Sequence, residues 1–118
     1  MSKPVGPYTP IVRAGEWLVV SGQVGILDGK LVAGGLEAEL RQAIANLEGL
    51  LASEGASLTS VTKTTVFLKH LGTDYARMNE VYIELFGDHR PARSAVGVAE
   101  LPIGALVEVE AWVHVGAG

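Results

Sequence analysis

Arg93 lies in the run His89-Arg90-Pro91-Ala92-Arg93-Ser94-Ala95-Val96, just after a φ-locking proline and just before an apolar strand pattern. A guanidinium is planar, permanently charged and shaped to grip a carboxylate through two parallel hydrogen bonds. Held at the mouth of a rigid strand, it reads as an anion clamp. A surface salt bridge is the ordinary alternative, and this run alone leaves both open. The second chemical signal is the pair Glu108 and Glu110. Two residues apart on a strand, their carboxylates point the same way, and partial burial raises a carboxyl pKa toward the range useful for proton transfer. Ion pairs between subunits, or simple exposure, account for the same spacing equally well.

Other chemistries find little support. A chain without cysteine has no disulfide, thiolate ligand or thiol nucleophile. His70, His89 and His114 are neither closely paired nor set beside carboxylates at metal-ligand spacing, so no metal site is expected. Ser21, in Val20-Ser21-Gly22, lacks the Gly-x-Ser-x-Gly elbow of a nucleophilic serine. Gly34-Gly35 completes no phosphate-loop or dinucleotide pattern and reads as a turn. Nine basic against thirteen acidic residues give a net charge of −4 with no clustered Lys/Arg stripe, which argues against a nucleic-acid partner. Any anion site must then rely on local donors. No window is long and apolar enough to span a membrane, and residues 1–7 lack the apolar centre of a secretory leader, so a cytoplasmic protein with no membrane partner is expected.

The frame for these side chains is a single domain over residues 1–118, and a chain that is 48% hydrophobic has enough apolar surface for one core. After a Pro/Gly-rich lead, residues 17–24 read as a strand. Asp28-Gly29 between apolar residues predicts a hairpin with a short second strand. Leu36, Leu40, Ala43/Ile44, Leu47 and Leu50/Leu51 recur at helical spacing for about five turns, and Gly55 stands where a left-handed cap would end the helix. A β-branched strand follows over 61–69. The second helix is expected with Thr73 as its cap, Asp74 at its positive end, Met78, Val81/Tyr82 and Leu85/Phe86 as its stripe, and Gly87 as its stop. Strands over 94–98 and 105–115 close the order β-β-α-β-α-β-β. The simplest layering is an α+β domain with both helices on one face of a sheet.

Alternation in the last strand puts Val107, Val109, Ala111, Val113 and Val115 toward those helices. Leu106, Glu108, Glu110, Trp112 and His114 then share the other face, a mixture unlike either core or solvated surface. A second copy of the chain is the most economical cover for it.

The chain also carries Gly6-Pro7-Tyr8, Ser21-Gly22-Gln23, Asn46-Leu47, Lys63-Thr64-Thr65-Val66-Phe67-Leu68, Asn79-Glu80-Val81-Tyr82, Pro91-Ala92-Arg93-Ser94 and Val107-Glu108-Val109-Glu110-Ala111. In this order and spacing it closely resembles, over essentially its whole length, the RidA (YjgF) family of reactive-intermediate deaminases. The resemblance implies a chorismate-mutase-like α+β domain with a mixed sheet, assembled as a homotrimer with three sites in clefts between subunits. It further implies hydrolysis of 2-imino or 2-enamino acids, such as 2-iminopropanoate, to 2-keto acids and ammonia without a cofactor. Arg93 would grip the substrate carboxylate, the backbone amide of Ala95 would assist, Glu108 would position or activate water, and Tyr8, Ser21 and Gly22 would line the pocket. Ala95 replaces the Cys common in active members, Glu39 replaces a common Gln, and residues 88–90 form a shorter stretch than in many relatives. Alternatives are a noncatalytic trimeric binder of small carboxylates such as 2-keto acids, and a chaperone-like interaction protein. Chorismate mutase activity rests on shared architecture alone.

Overall fold

The computed structural model describes residues 6–116. Its first element is a strand absent from the sequence-based expectation, β1 (Ile11–Ala14), which turns at Gly15 and pairs antiparallel with β2 (Trp17–Gln23). The lead thus contributes an edge strand, because Gly15 at φ 61° permits the turn that folds Ile11 back onto Val20. The Asp28-Gly29 hairpin forms as expected, with both residues at positive φ. Its arms, β3 (Ile26–Leu27) and β4 (Lys30–Leu31), are only two residues each and make a separate ladder outside the main sheet.

Helix α1 (Gly35–Ala52) follows the Gly34-Gly35 turn. Its end is a Schellman motif: Gly55 takes the left-handed conformation, its N–H bonds the carbonyl of Ala52, and the N–H of Ala56 bonds that of Leu51. Strand β5 (Val61–Leu68) leads to α2 (Leu71–Phe86), which begins two residues before Thr73. Leu71 packs on the core, and His70 takes the cap position, its carbonyl accepting the N–H of Asp74. Thr73 is therefore no cap, whereas Gly87 stops the helix at φ 65°. Strands β6 (Ala92–Gly97) and β7 (Val107–His114) complete the chain.

The five-stranded sheet runs β1-β2-β7-β5-β6, with β5 and β6 parallel and the other pairs antiparallel, so it is mixed. Both helices pack on one face. Leu40, Ile44, Leu47 and Leu51 of α1 and Met78 and Val81 of α2 meet Val66, Val107, Val109, Ala111 and Val113 of the sheet in one buried cluster. The opposite face is bare in the single chain, and Trp112 is 46% exposed there. No described helix is long and apolar enough to cross a membrane.

Candidate active site

Glu108 stands on the bare face of β7, opposite Phe67 of β5. Its position depends on a bulge in β2. Val20 pairs with Ala111 and Gln23 with Val109, so β2 spends three residues where β7 spends two, and Ser21-Gly22 bows out of register. A glycine inside a strand pattern is the sequence signal for such a bulge. The bow brings the bare Cα of Gly22 beneath Glu108: a side-chain carbon built there would lie 2.6 Å from the carboxyl carbon. Ser21 anchors the bow by donating its Oγ–H to the Thr9 carbonyl (2.8 Å) and its N–H to that of Pro10 (2.9 Å). This ties the bulge to the segment that carries the exposed Tyr8. Ser21 and Gly22 therefore adjoin Glu108, and Tyr8 precedes the Thr9 whose carbonyl holds Ser21.

Burial, followed by the nearby charge of Glu110, raises the Glu108 pKa above the usual glutamate value. No cation among the described residues lies within ion-pair distance of either carboxylate. Lys63, the neighbouring base on β5, instead directs its Nζ to the Thr64 carbonyl and the Thr65 hydroxyl.

Arg93 lies elsewhere. Strand β6 is an edge of the sheet, and Arg93 is in register with Thr64, whose buried hydroxyl meets Tyr82 of α2 at 2.7 Å. Arg93 therefore points to the helix side. Its guanidinium carbon is 4.9 Å from the ring centre of Tyr82 and 5.7 Å from that of Tyr75. Nη2 donates to the Tyr75 hydroxyl at 3.2 Å, and Nη1 approaches the Met78 sulfur at 3.5 Å. No described carboxylate pairs with it, so the surface salt bridge of the alternative reading does not form within the chain. Ala95, two residues on, shares its face and packs on the core. Local sequence rules do not show Tyr75 and Tyr82 as supports of Arg93, because the α2–β6 contact that brings them there is tertiary.

Within one chain, then, Arg93 and Ala95 face the helices while Glu108 faces the bare side, and the sheet stands between them. Among the described residues, no three His, Asp or Glu side chains gather as a possible metal set. A half-buried carboxyl and a guanidinium with no carboxylate partner among the described residues are both present, each on strand backbone. They converge only if a second chain closes the arrangement.

The family model described as Endoribonuclease L-PSP matches residues 1–115. A RutC family protein of Pyrococcus horikoshii is 44% identical over 92% of this chain and 87% of its own length. The 2-iminobutanoate/2-iminopropanoate deaminase of Homo sapiens is 39% identical over 91% of this chain and 79% of its own. Among solved structures, RidA from an Antarctic Psychrobacter superposes with a TM-score of 0.90 at 35% identity, covering 95% of this chain and 91% of that one. E. coli TdcF with bound serine does so with a TM-score of 0.87 at 33% identity, covering 94% of this chain and 90% of that one. The family match runs from β1 through β7, and the relatives cover more than nine-tenths of the chain; the chain belongs to the RidA (YjgF) family.

Proposed function

We infer that the protein hydrolyses small 2-imino or 2-enamino acids, such as 2-iminopropanoate, to 2-keto acids and ammonia, in clefts between subunits of a homotrimer. The observation that carries this reading is the half-buried Glu108, raised in pKa, unpaired and seated on Gly22. Deaminase names among relatives near 40% identity support the reaction class, and the serine bound by TdcF supports a ligand bearing a carboxylate.

Arg93 receives the substrate carboxylate in a bidentate grip, braced from below by Tyr82, with the backbone amide of Ala95 on the edge strand as a further donor. It binds and orients only, since a guanidinium keeps its proton. Glu108, as carboxylate, takes a proton from water as the oxygen adds to the imine carbon. It passes that proton to the nitrogen to give a carbinolamine, then takes the hydroxyl proton and delivers it to the same nitrogen as the C–N bond breaks and C=O forms, so one water enters and one ammonia leaves with no net change at Glu108. A 2-enamino acid first takes a proton at carbon to become the imine. Tyr8, Ser21 and Gly22 line the water side of the cleft. Because Arg93 and Glu108 lie on opposite faces of one sheet, a site containing both takes Arg93 from one subunit and Glu108 from its neighbour.

The test follows loss of 2-iminopropanoate, generated in place from an amino acid by a separate enzyme, with wild type and Arg93→Ala compared. Wild type should accelerate the loss. Arg93→Ala should lose about three orders of magnitude in kcat/KM, from two charge-assisted hydrogen bonds at about 2 kcal/mol each. No acceleration by wild type, with a 2-keto acid still bound, would replace the deaminase with a carboxylate-binding protein.

A further inference from the structure

Glu39 is only 3% exposed, yet the proposed chemistry does not use it. Its Oε1 accepts the N–H of Leu106 at 2.8 Å, at the entrance to β7 and two residues before Glu108. One helical face further along, Asn46 donates its side-chain amide to the carbonyls of Val24 (3.1 Å) and Ile26 (2.9 Å), just beyond β2. Gln42, between them on that face, donates to the Oδ1 of Asn46 and fixes its orientation (2.9 Å). Between the two anchored segments, Gly25 presses its bare Cα on the backbone of Glu39, where an added side-chain carbon would come within 2.6 Å of the carbonyl oxygen. One face of α1 thus grips the chain on both sides of the bulge: the segment leaving β2, at Val24 two residues from Gly22 and at Ile26, and the segment entering β7.

Resting on the role given to Glu108 above, we propose that Glu39 and Asn46 are positioning residues that hold the Glu108 carboxyl against Gly22 by fixing β2 and β7 to a common helix. They act through backbone. Burial and then the charge of Glu110 raise the Glu108 pKa, whereas at Glu39 burial does so with a smaller contribution from Asp74. A Gln at position 39 keeps the acceptor oxygen for Leu106, whereas a Leu of similar size removes it.

The test is carbon-detected titration of the Glu108 carboxyl in protein labelled at glutamate, with the signal assigned by its absence in Glu108→Gln. Glu39→Leu should lower the Glu108 midpoint by about one unit as the carboxyl loses its seat and gains water. Asn46→Ala should lower it similarly from the β2 side, and Glu39→Gln should restore the wild-type value. An unchanged midpoint in folded Glu39→Leu overturns the proposal, as does an equal shift in Glu39→Gln. If Glu39→Leu does not fold, Asn46→Ala gives the same decision. Turnover of 2-iminopropanoate, read in parallel, separates the two readings. Midpoints that move in a wild-type background inactive on the imine leave the positioning and remove the deaminase; unmoved midpoints in an active protein do the reverse.

Discussion

Two carboxyls are held above the usual glutamate range by burial, and each has its own consequence. For Glu108 the consequence is kinetic: the proposed mechanism needs its base form for attack, so kcat/KM should rise with pH through its raised pKa. Glu108→Gln should remove that limb and cost about 10² to 10⁴ in rate, checked by a pH profile of imine loss. A limb that survives would move the proton transfer to another group, with Glu110 the neighbour on the same face. For Glu39 the consequence is thermodynamic. Its folded pKa lies above the unfolded value of about 4.3, so its stabilisation is complete below that pH and is lost as pH rises through the folded value. Urea midpoints of wild type should therefore fall relative to Glu39→Gln as pH rises from about 4.3 through the raised folded value. A difference that stays constant with pH would show that Glu39 does not titrate abnormally.

Helix α1 shows how apolar and polar positions divide the work of one element. Leu40, Ile44, Leu47 and Leu51 bury its stripe, while Glu39 and Asn46 serve the backbone ends of neighbouring strands. Gly25 is where this arrangement has least slack. Gly25→Ala drives a methyl into the helix backbone, so it should cost about 1 to 3 kcal/mol in a urea melt. A cost near zero would mean that α1 can shift away from β2 freely. On the outer side of the helices, Arg41 and Arg77 bridge Glu37, Glu80 and Glu84, joining α1 to α2. These pairs lie in water, where screening leaves them a small part of the stability.

The assembly carries the strongest consequence of the sheet's geometry. Val12, Trp17 and Trp112 stand exposed on the face that also bears Glu108, an apolar surface suited to a second copy. If each site joins Arg93 of one subunit to Glu108 of the next, two inactive variants should repair one another. Arg93→Ala and Glu108→Gln, unfolded together and refolded into mixed assemblies of the proposed trimer, should regain activity at about a quarter of the sites by random assortment. Activity that stays at the background of the separate variants would place both groups in one chain and defeat the intersubunit site.

Periodicity determined a good deal of this protein. The alternation of β7, the stripes of both helices, the Asp28-Gly29 turn and the Gly55 and Gly87 stops follow from local rules, because side-chain spacing and positive-φ glycines act within a few residues. The residues of the site were legible as types: a fixed cation at a strand mouth and two carboxylates on one strand face. Local rules did not reach β1, whose four residues become a strand only by pairing with β2, nor the start of α2, which the packing of Leu71 moved ahead of Thr73. Nor could they place Arg93 and Glu108 on opposite faces, seat Glu108 on Gly22, or bury Glu39 under Leu106. Those facts depend on strand order, a bulge and contacts between residues as many as 67 apart in the chain, and only the closed tertiary fold brings such partners within reach.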